Sequence, residues 1–228
     1  MSSLYTRLKI TLGKANADDA ALAALKSDDK ATITQGGDIV FNPGSHQPDT
    51  GIILYPGGRC DARAYAPLVR PLAQLGYRVI IPNMPLRLAV LDANRIAKIM
   101  TQNPDIERWV VGGHSMGGAM AAAWVYKNPG KVAALFFLAS YPSKMHAMPD
   151  STLPTAMFYG SHDFITRKSE FDASHERLPG HTLYVEIEGG DHYQFGSFGN
   201  VDITATISRE EQLQQATTGL TSFLALLR

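Results

Sequence analysis

Residues 110–119 read Val-Val-Gly-Gly-His-Ser-Met-Gly-Gly-Ala, and the hydrophobic pattern changes type across them. The residues at the start of this stretch, Trp109–Val111, favour a β-strand. The residues that follow it, 119–126, read Ala-Met-Ala-Ala-Ala-Trp-Val-Tyr and favour a helix. Glycines crowd the junction, as they do where a side chain would collide with a neighbouring strand or helix. The stretch therefore predicts a strand, a tight turn and a helix in direct succession.

The turn at Gly113–Gly117 fits the pattern Gly-x-Ser-x-Gly of a nucleophile elbow, with Ser115 at its centre. In a chain this rich in glycine the bare pattern arises by chance with odds on the order of 0.1, so the inference depends on its setting between a strand and a helix. Such a turn lifts the serine hydroxyl above the sheet at the start of a helix, where the helix dipole favours the negative charge that acyl transfer develops. The alternative is an ordinary glycine-rich turn in which Ser115 only caps the helix.

The composition predicts a single domain over residues 1–228. Hydrophobic residues make up 45% of the 228 and charged residues 18%, which is enough for one well-buried core. Basic and acidic residues number 21 each, so no net field attracts nucleic acid or an anionic membrane. We therefore expect small-molecule partners and no nucleic acid.

The cysteine content and the beginning of the chain indicate a cellular compartment. The single cysteine, Cys60, excludes a disulfide within the chain and leaves no thiolate cluster for zinc. The first ten residues contain neither an apolar segment nor a cleavage signature of a secretory leader, and no stretch is long enough to span a membrane. These features predict a cytoplasmic protein without a bound metal.

Strands and helices are predicted to alternate through most of the chain. A short helix at 20–25 and a hairpin of 31–34 with 38–41 precede the continuous apolar run Gly51–Tyr55, which is typical of a strand buried on both faces of a parallel sheet. The later predicted strands are 77–81, 109–111, 132–139, 155–159 and 182–187, and the later predicted helices are 63–75, 91–100, 119–126, 168–177 and one from Ser208 toward Leu227. This rhythm predicts an α/β fold, a mostly parallel sheet with helices on both faces.

A serine nucleophile needs a base, and the base needs a carboxylate that fixes its tautomer. The order expected for an elbow enzyme is serine, acid, histidine. Asp163 follows the predicted strand that ends at Tyr159, and His192 follows the one that ends at Ile187. The spacings, 163 − 115 = 48 and 192 − 163 = 29, each allow one crossover between neighbouring strands. We therefore expect Ser115, Asp163 and His192 to meet at the carboxyl edge of the sheet as nucleophile, orienting acid and base.

The acid and the base each have an alternative interpretation. Aspartate is common in turns and caps, so Asp163 is alternatively a structural residue, and Asp150 in the preceding loop is then the substitute acid. His192 is alternatively an ordinary loop histidine. His181 at the start of a strand and His175 on a predicted helix face are worse placed for the role of base.

Four neighbouring residues are assigned other roles. Asp191 is expected to shape the turn before His192, because an adjacent residue orients the imidazole poorly. His114 and His162 flank the candidates and are interpreted as packing or supporting groups, with a ligand role as the alternative. Cys60 has no activating partner and is interpreted as a small apolar residue.

The oxyanion hole is expected to use two backbone N–H groups. One belongs to Met116, the residue after the nucleophile, and the other comes from the loop after Tyr55. Within that loop Gly58 and Arg59 are the candidates, since Gly57-Gly58-Arg59 lets the backbone approach a substrate. The alternative for these residues is a plain glycine turn.

With these residues in place, the chain resembles the α/β-hydrolases, and among them the small group called α/β-hydrolase fold family 5, which is related to dienelactone hydrolases. The resemblance runs from about Asp38 to the last helix, with motifs at Tyr55–Gly58, Asp61–Leu68, Met84–Leu86, Gly113–Gly118, Gly160–Asp163, His192–Gly196 and Ala205–Ser208. It implies a sheet of the eight-stranded type, complete or short of its first strands, a Ser115, Asp163 and His192 triad, and carboxylic ester hydrolysis without a cofactor. Cys60 departs from the family pattern, so the resemblance does not define which residues line the pocket.

The site is expected to be shallow. Cap domains of this fold usually enter after the strand that ends here at Ala139, and only residues 140–154 precede the next strand, so we expect no cap domain. Cover then comes from the loops 84–91, 145–148 and 193–207. The predicted pocket residues are Met84, His114, Tyr193 and Phe195, with Phe198 extending an apolar wall. The expected substrates are short or medium acyl esters or lactones.

Two classes of function are compatible with these predictions. The first is a serine hydrolase acting on carboxylic esters; a thioesterase, a lactonase or an acyltransferase uses the same residues. The second is a non-catalytic α/β-hydrolase fold that binds a ligand or serves as a scaffold. Intact candidates at all three triad positions favour the enzyme.

Overall fold

The computed structural model describes residues 14–44 and 46–227. The prediction made from the first ten residues, that the chain has no leader, lies outside the described residues. Within the described ranges, none of the helices is both long enough and apolar enough to cross a membrane.

One sheet of eight strands organises the molecule. The strands are β1 (Ala31–Gln35), β2 (Ile39–Pro43), β3 (Thr50–Tyr55), β4 (Arg78–Ile81), β5 (Arg108–His114), β6 (Ala134–Leu138), β7 (Thr155–Gly160) and β8 (Leu183–Ile187). Their order is β1-β2-β4-β3-β5-β6-β7-β8. The pairs β1–β2 and β2–β4 are antiparallel, and the remaining pairs are parallel. The expectation of a mostly parallel sheet is confirmed, and its first two strands, which the resemblance left uncertain, are present.

Helices cover both faces of this sheet. They are α1 (Asp19–Ala23), α2 (Ala66–Gln74), α3 (Arg95–Gln102), α4 (Met116–Lys127), α5 (Lys168–Asp172) and α6 (Arg209–Ala225). Helix α2 packs against α6, β2 and β4, whereas α4 packs against β3, β5 and β6. The Trp124 indole of α4 donates to Asn94, the residue before α3, over 2.8 Å. The sheet is therefore enclosed between two groups of helices, as the alternating pattern predicts.

The central strands form the core. Every residue of β3, β6 and β7 is buried, and so is every residue of β5 after Arg108. Such continuous apolar runs fit strands that are covered on both faces. Because β3, β5, β6 and β7 are parallel neighbours, the loops after them meet at one edge of the sheet, together with the loop after β8.

Several predicted helices differ from the observed ones in their bounds. The predicted helix 63–75 begins with a 3₁₀ turn at Ala62–Tyr65, because the Asp61 carboxylate accepts the Arg63 N–H and caps that turn. The predicted helix 91–100 is shifted to Arg95–Gln102 after a 3₁₀ turn at residues 89–92. The predicted helix 168–177 stops at Asp172, where the Ser174 hydroxyl bonds the Phe171 carbonyl and competes with helical bonding.

The segment between β6 and β7 adds no domain to the sheet. Its residues, 139–154, contain one 3₁₀ turn, Lys144–His146. In the parts of the chain that the structure describes, the prediction of a fold without a cap domain is confirmed.

Candidate active site

Ser115 has a strained backbone at the junction of β5 and α4. Its φ of 51° and ψ of −124° lie in a region that residues with a side chain rarely adopt. Its N–H donates to the Leu138 carbonyl over 2.9 Å, and its carbonyl accepts the Ser140 hydroxyl over 2.6 Å. These bonds to the end of β6 hold the strained turn, and the Ser115 side chain remains partly exposed.

The glycines of the elbow are required by close backbone contacts. A Cβ on Gly113 would lie 2.6 Å from the backbone carbon of Gly117. One on Gly117 would collide with the carbonyl oxygen of Pro56, and one on Gly118 would lie 2.6 Å from the Ser140 hydroxyl. The helix therefore approaches β3 and β6 more closely than any other residue type allows.

The structure brings together the three side chains predicted to form a triad. His192, which follows β8, places Nε2 3.0 Å from Ser115 Oγ and Nδ1 2.7 Å from Asp163 Oδ2. A carboxylate only accepts, so Nδ1 carries the proton and the Nε2 lone pair faces the serine hydroxyl. The Asp163 and His192 side chains are 1% and 3% exposed, so little water competes for this bond.

The Asp163 carboxylate is fixed by its own loop. Its Oδ1 atom accepts the N–H groups of Ile165 over 2.9 Å and Thr166 over 2.7 Å, which leaves Oδ2 for His192. Asp150, the alternative acid, is exposed in the loop before β7. Asp163 is thus the carboxylate that orients the imidazole in this geometry.

A buried network fastens the loop that carries His192. The fully buried Asp191 carboxylate accepts the N–H groups of Gln194 over 2.9 Å and Thr204 over 2.8 Å, as expected of a residue that shapes the turn. Gln212 of α6 accepts from the Asp191 N–H and donates to the Asp191 carbonyl, both over 2.8 Å. Gln212 therefore ties the loop to the last helix, and no motif or spacing in the sequence marks it.

Two of the three predicted oxyanion donors keep a backbone N–H that no other group of the described residues accepts. The N–H groups of Gly58 and Met116 have no hydrogen-bond partner among residues 14–44 and 46–227. A Cβ on Gly58 would lie 3.1 Å from the Met116 side chain, so these residues are neighbours. The prediction for Arg59 is wrong, because its N–H donates to the Arg87 carbonyl over 2.7 Å. Arg59 also has a φ of 62°, in the left-handed region that residues with a side chain rarely adopt.

Cys60 is buried next to the oxyanion loop. Burial raises the pKa of its thiol to about 12, so the thiolate is not accessible at neutral pH. This agrees with the interpretation of Cys60 as a small packing residue.

Several predicted pocket residues lie in the interior instead. His114 and Phe195 are fully buried, Phe198 is 2% exposed and Tyr193 9% exposed, so the prediction that His114 and Phe195 line an open pocket is wrong. These rings pack behind His192: the centroid of the His114 ring is 4.8 Å from that of His192, and that of Tyr193 is 5.6 Å from it. Residues 193–198 fold back against the core, whereas residues 199–207 stay exposed or partly exposed, and a local apolar pattern does not reveal this division.

Met84 and His162 also differ from their predictions. Met84 lines a cavity of about 220 Å³ with Cys60, Asp61 and Arg87, and Ser115 is not part of its lining. The His162 side chain is exposed, so it is not a packing group. Its backbone instead joins two loops, with its N–H donating to Gly190 and its carbonyl accepting the Thr204 hydroxyl, both over 2.8 Å.

The sequence profile of the alpha/beta hydrolase family matches residues 51–214, from β3 into α6. The chain belongs to the alpha/beta hydrolase family. A Mycobacterium phage D29 protein that carries the provisional name of a non-heme haloperoxidase is 29% identical over 117 residues. That match covers 46% of this alpha/beta hydrolase and 42% of the phage protein, so the chain spans less than half the length of this curated relative.

Solved structures of other hydrolases share the fold. A CIB-like hydrolase from Thermoplasma acidophilum has a TM-score of 0.66 and 16% identity, over 84% of this chain and 99% of its own. Esterase 2 from Thermogutta terrifontis has a TM-score of 0.64 and 14% identity, over 87% and 92%. An S-formylglutathione hydrolase from Agrobacterium tumefaciens has a TM-score of 0.60 and 13% identity, over 89% and 98%. At these low sequence identities, the structural similarity shows a shared fold.

Proposed function

We propose that this protein is a serine hydrolase that cleaves carboxylic esters through an acyl-enzyme on Ser115. The observation that carries the proposal is the continuous hydrogen-bonded arrangement from Ser115 Oγ to His192 Nε2 at 3.0 Å and from His192 Nδ1 to Asp163 Oδ2 at 2.7 Å. A serine at this distance from a correctly protonated imidazole is an activated nucleophile. The esterases among the structures of the same fold are in keeping with this chemistry.

The first half of the reaction forms the acyl-enzyme. Ser115 Oγ attacks the ester carbonyl carbon while its proton passes to His192 Nε2, and the Asp163 carboxylate stabilises the imidazolium. The carbonyl oxygen becomes an oxyanion that accepts hydrogen bonds from the N–H groups of Gly58 and Met116. The bond to the alkoxy group then breaks, and the departing oxygen takes the proton from His192 Nε2.

The second half regenerates the enzyme. A water molecule loses a proton to His192 Nε2 and attacks the acyl carbon, and the same two N–H groups hold the second oxyanion. The bond to Ser115 Oγ breaks, the proton returns to that oxygen, and the carboxylic acid leaves. Neither half needs a cofactor, since every proton and electron pair is accounted for by protein, ester and water.

The proposed substrates are esters with short or medium acyl chains, or lactones. The loop between β6 and β7 has one 3₁₀ turn, and Ser115 is partly exposed, so the acyl group meets an open surface in place of a deep tunnel. Rates on p-nitrophenyl esters from acetate to palmitate test this proposal. A preference for palmitate over butyrate would contradict it.

Intact-mass spectrometry after reaction with a fluorophosphonate tests the hydrolase itself. The wild-type protein is expected to gain one adduct, and Ser115→Ala and His192→Ala are expected to gain none. A folded wild type without an adduct would contradict the proposal and favour the second candidate, a ligand-binding protein that keeps the fold without catalysis.

A further inference from the structure

A buried chain of hydrogen bonds connects the oxyanion loop with the loop of His192. The Gly57 N–H donates to the Tyr65 hydroxyl over 2.9 Å, and this hydroxyl lies 2.8 Å from His114 Nδ1. On the other side of its ring, His114 Nε2 lies 2.9 Å from the His192 carbonyl oxygen. Tyr65 and His114 are fully buried, and the triad chemistry uses neither side chain.

The donors and acceptors of this chain have a single consistent direction. The His192 carbonyl only accepts, so His114 Nε2 must carry the proton. In the neutral ring Nδ1 is then an acceptor, which receives the Tyr65 O–H. The Tyr65 oxygen in turn accepts from Gly57. Burial, together with the neighbouring His192, holds the pKa of His114 well below its ordinary value, so the neutral ring persists.

Aromatic rings enclose this chain. The centroid of the Phe198 ring is 5.7 Å from that of Tyr65, edge-on, and the centroid of Phe195 is 6.2 Å from that of His114. Each of these rings is nearly or fully buried. Water replaces a lost hydrogen bond poorly in an apolar enclosure. Each hydrogen bond of this chain therefore strongly restricts the positions of the two groups that it joins.

We propose that Tyr65 and His114 are positioning residues that hold the base and the second oxyanion donor in one common geometry. His114 fixes the main chain of His192, whose ring must reach Ser115. Tyr65 fixes Gly57, whose neighbour Gly58 presents the oxyanion N–H. We call this pair the relay. The inference rests on the proposed ester hydrolysis and adds two residues that it needs.

The relay predicts a specific kinetic effect. The relay positions the His192 ring and the Gly58 N–H, and both groups interact more strongly with the transition state than with the bound substrate. Breaking the relay therefore lowers kcat more than it raises KM. A displacement approaching 1 Å at a reacting group costs on the order of 100-fold in rate. We therefore expect Tyr65→Phe to lower kcat about 10- to 100-fold on a short acyl ester, with KM changed less than about threefold.

Tyr55 offers a matched control. Its hydroxyl also accepts a backbone N–H, that of Ile96 at 2.8 Å, and donates to a backbone carbonyl, that of Ala93, at 3.3 Å. Its side chain is as buried as that of Tyr65. Tyr55→Phe therefore removes the same group from the same kind of environment and is expected to leave kcat unchanged. If Tyr55→Phe and Tyr65→Phe lose the same amount of kcat, the loss comes from general packing and the relay is overturned.

Two substitutions of His114 separate its bond to His192 from its bulk. His114→Gln keeps an N–H that reaches toward the His192 carbonyl, whereas His114→Leu keeps the approximate size and loses the donor. We expect kcat to fall from wild type to His114→Gln to His114→Leu. Equal kcat values for the glutamine and leucine variants would contradict the relay. Denaturation curves show which variants are folded.

Nitrogen NMR tests the relay through the protonation state of the His114 ring. With ¹⁵N-labelled histidine, His114 is expected as a neutral ring protonated at Nε2, while Tyr65→Phe, which removes the donor to Nδ1, is expected to shift the Nδ1 resonance. A charged ring, or one protonated at Nδ1, would overturn the assigned direction.

The fluorophosphonate reaction separates failure of the relay from failure of the proposed function. If the wild type forms an adduct and Tyr65→Phe forms it at the same rate, the relay is overturned and the proposed hydrolase function stands. No adduct on folded wild type would overturn both. We expect the wild type to form an adduct. Tyr65→Phe is expected to form it at least about tenfold more slowly, and Tyr55→Phe at the wild-type rate.

Discussion

Asp163 holds His192 with one carboxylate oxygen and the backbone of its own loop with the other. Oδ2 lies 2.7 Å from His192 Nδ1, and Oδ1 accepts the N–H groups of Ile165 and Thr166. In Asp163→Asn the amide oxygen is retained by the two N–H groups, so the amide NH₂ faces Nδ1 and forces the proton to Nε2. The imidazole then has no lone pair for the Ser115 hydroxyl. We expect kcat to fall about 10³- to 10⁴-fold, measured by steady-state ester hydrolysis.

Asp150→Asn is the control for this prediction. It makes the same change of charge at the exposed aspartate in the loop before β7, which was the alternative acid. It is expected to keep wild-type kcat. If the asparagine at 150 lowered the rate as strongly as the one at 163, the assignment of the acid would be wrong.

The elbow and the three triad candidates could be predicted because their signals are local. The Gly-x-Ser-x-Gly turn lies between a strand and a helix, and Asp163 and His192 follow apolar strands in the order that the chemistry needs. Parallel strands bring the residues at their carboxyl ends to one edge, so element order alone predicts that the three side chains approach each other. The structure has them in hydrogen-bonding contact.

The orientation of single groups could not be predicted in the same way. Which of the Gly58 and Arg59 N–H groups is bonded within the fold depends on the Arg87 carbonyl, which a distant loop supplies. Gln212 is one polar residue among several on α6, and Tyr65 belongs to a predicted helix. Their roles come from partners brought close by the fold, and no spacing in the sequence marks them.

Gly117 is expected to be irreplaceable. A Cβ at this position would collide with the Pro56 carbonyl oxygen, and backbone atoms cannot rotate away as a side chain does. Gly117→Ala is expected to lower the free energy of unfolding by about 1–3 kcal/mol and to abolish esterase activity by displacing Ser115. Gly180→Ala is the control, since a Cβ there meets no atom within 4 Å. Urea denaturation and ester hydrolysis measure the two effects, and a fully active Gly117→Ala would contradict the prediction.

Asp191 is expected to contribute more to stability than the exposed Asp202. Its buried carboxylate accepts backbone N–H groups at both oxygens, and Asp191→Asn turns one of these oxygens into a donor that faces another donor. We expect the free energy of unfolding to fall by about 1–3 kcal/mol. The exposed Asp202→Asn is the control and is expected to change it little. Similar urea denaturation curves for both variants would mean that the buried bonds contribute nothing net.

Cys60 is expected to be unreactive until the protein unfolds. With a pKa of about 12, about one thiol in 10⁴ is ionised at pH 8, and burial blocks access as well. A disulfide reagent such as DTNB should therefore modify Cys60 slowly in buffer and rapidly in denaturant. Since this is the only cysteine in the chain, the absorbance reports this site alone. Rapid reaction of the native protein would contradict the buried position.

His114 is expected to make the protein less stable in mild acid. Burial holds its pKa below the ordinary value of 6.5 in the folded state, so below about pH 6.5 the unfolded chain binds more protons than the folded one. The stability that the neutral ring contributes is therefore fully present above about pH 6.5 and is lost as the pH falls, by up to about 1.4 kcal/mol per pH unit. His114→Gln removes this titration, so its free energy of unfolding should fall less steeply between about pH 6.5 and about pH 5. Urea denaturation at several pH values measures the difference between the two proteins, and parallel pH dependences would show that His114 is not held neutral by the fold.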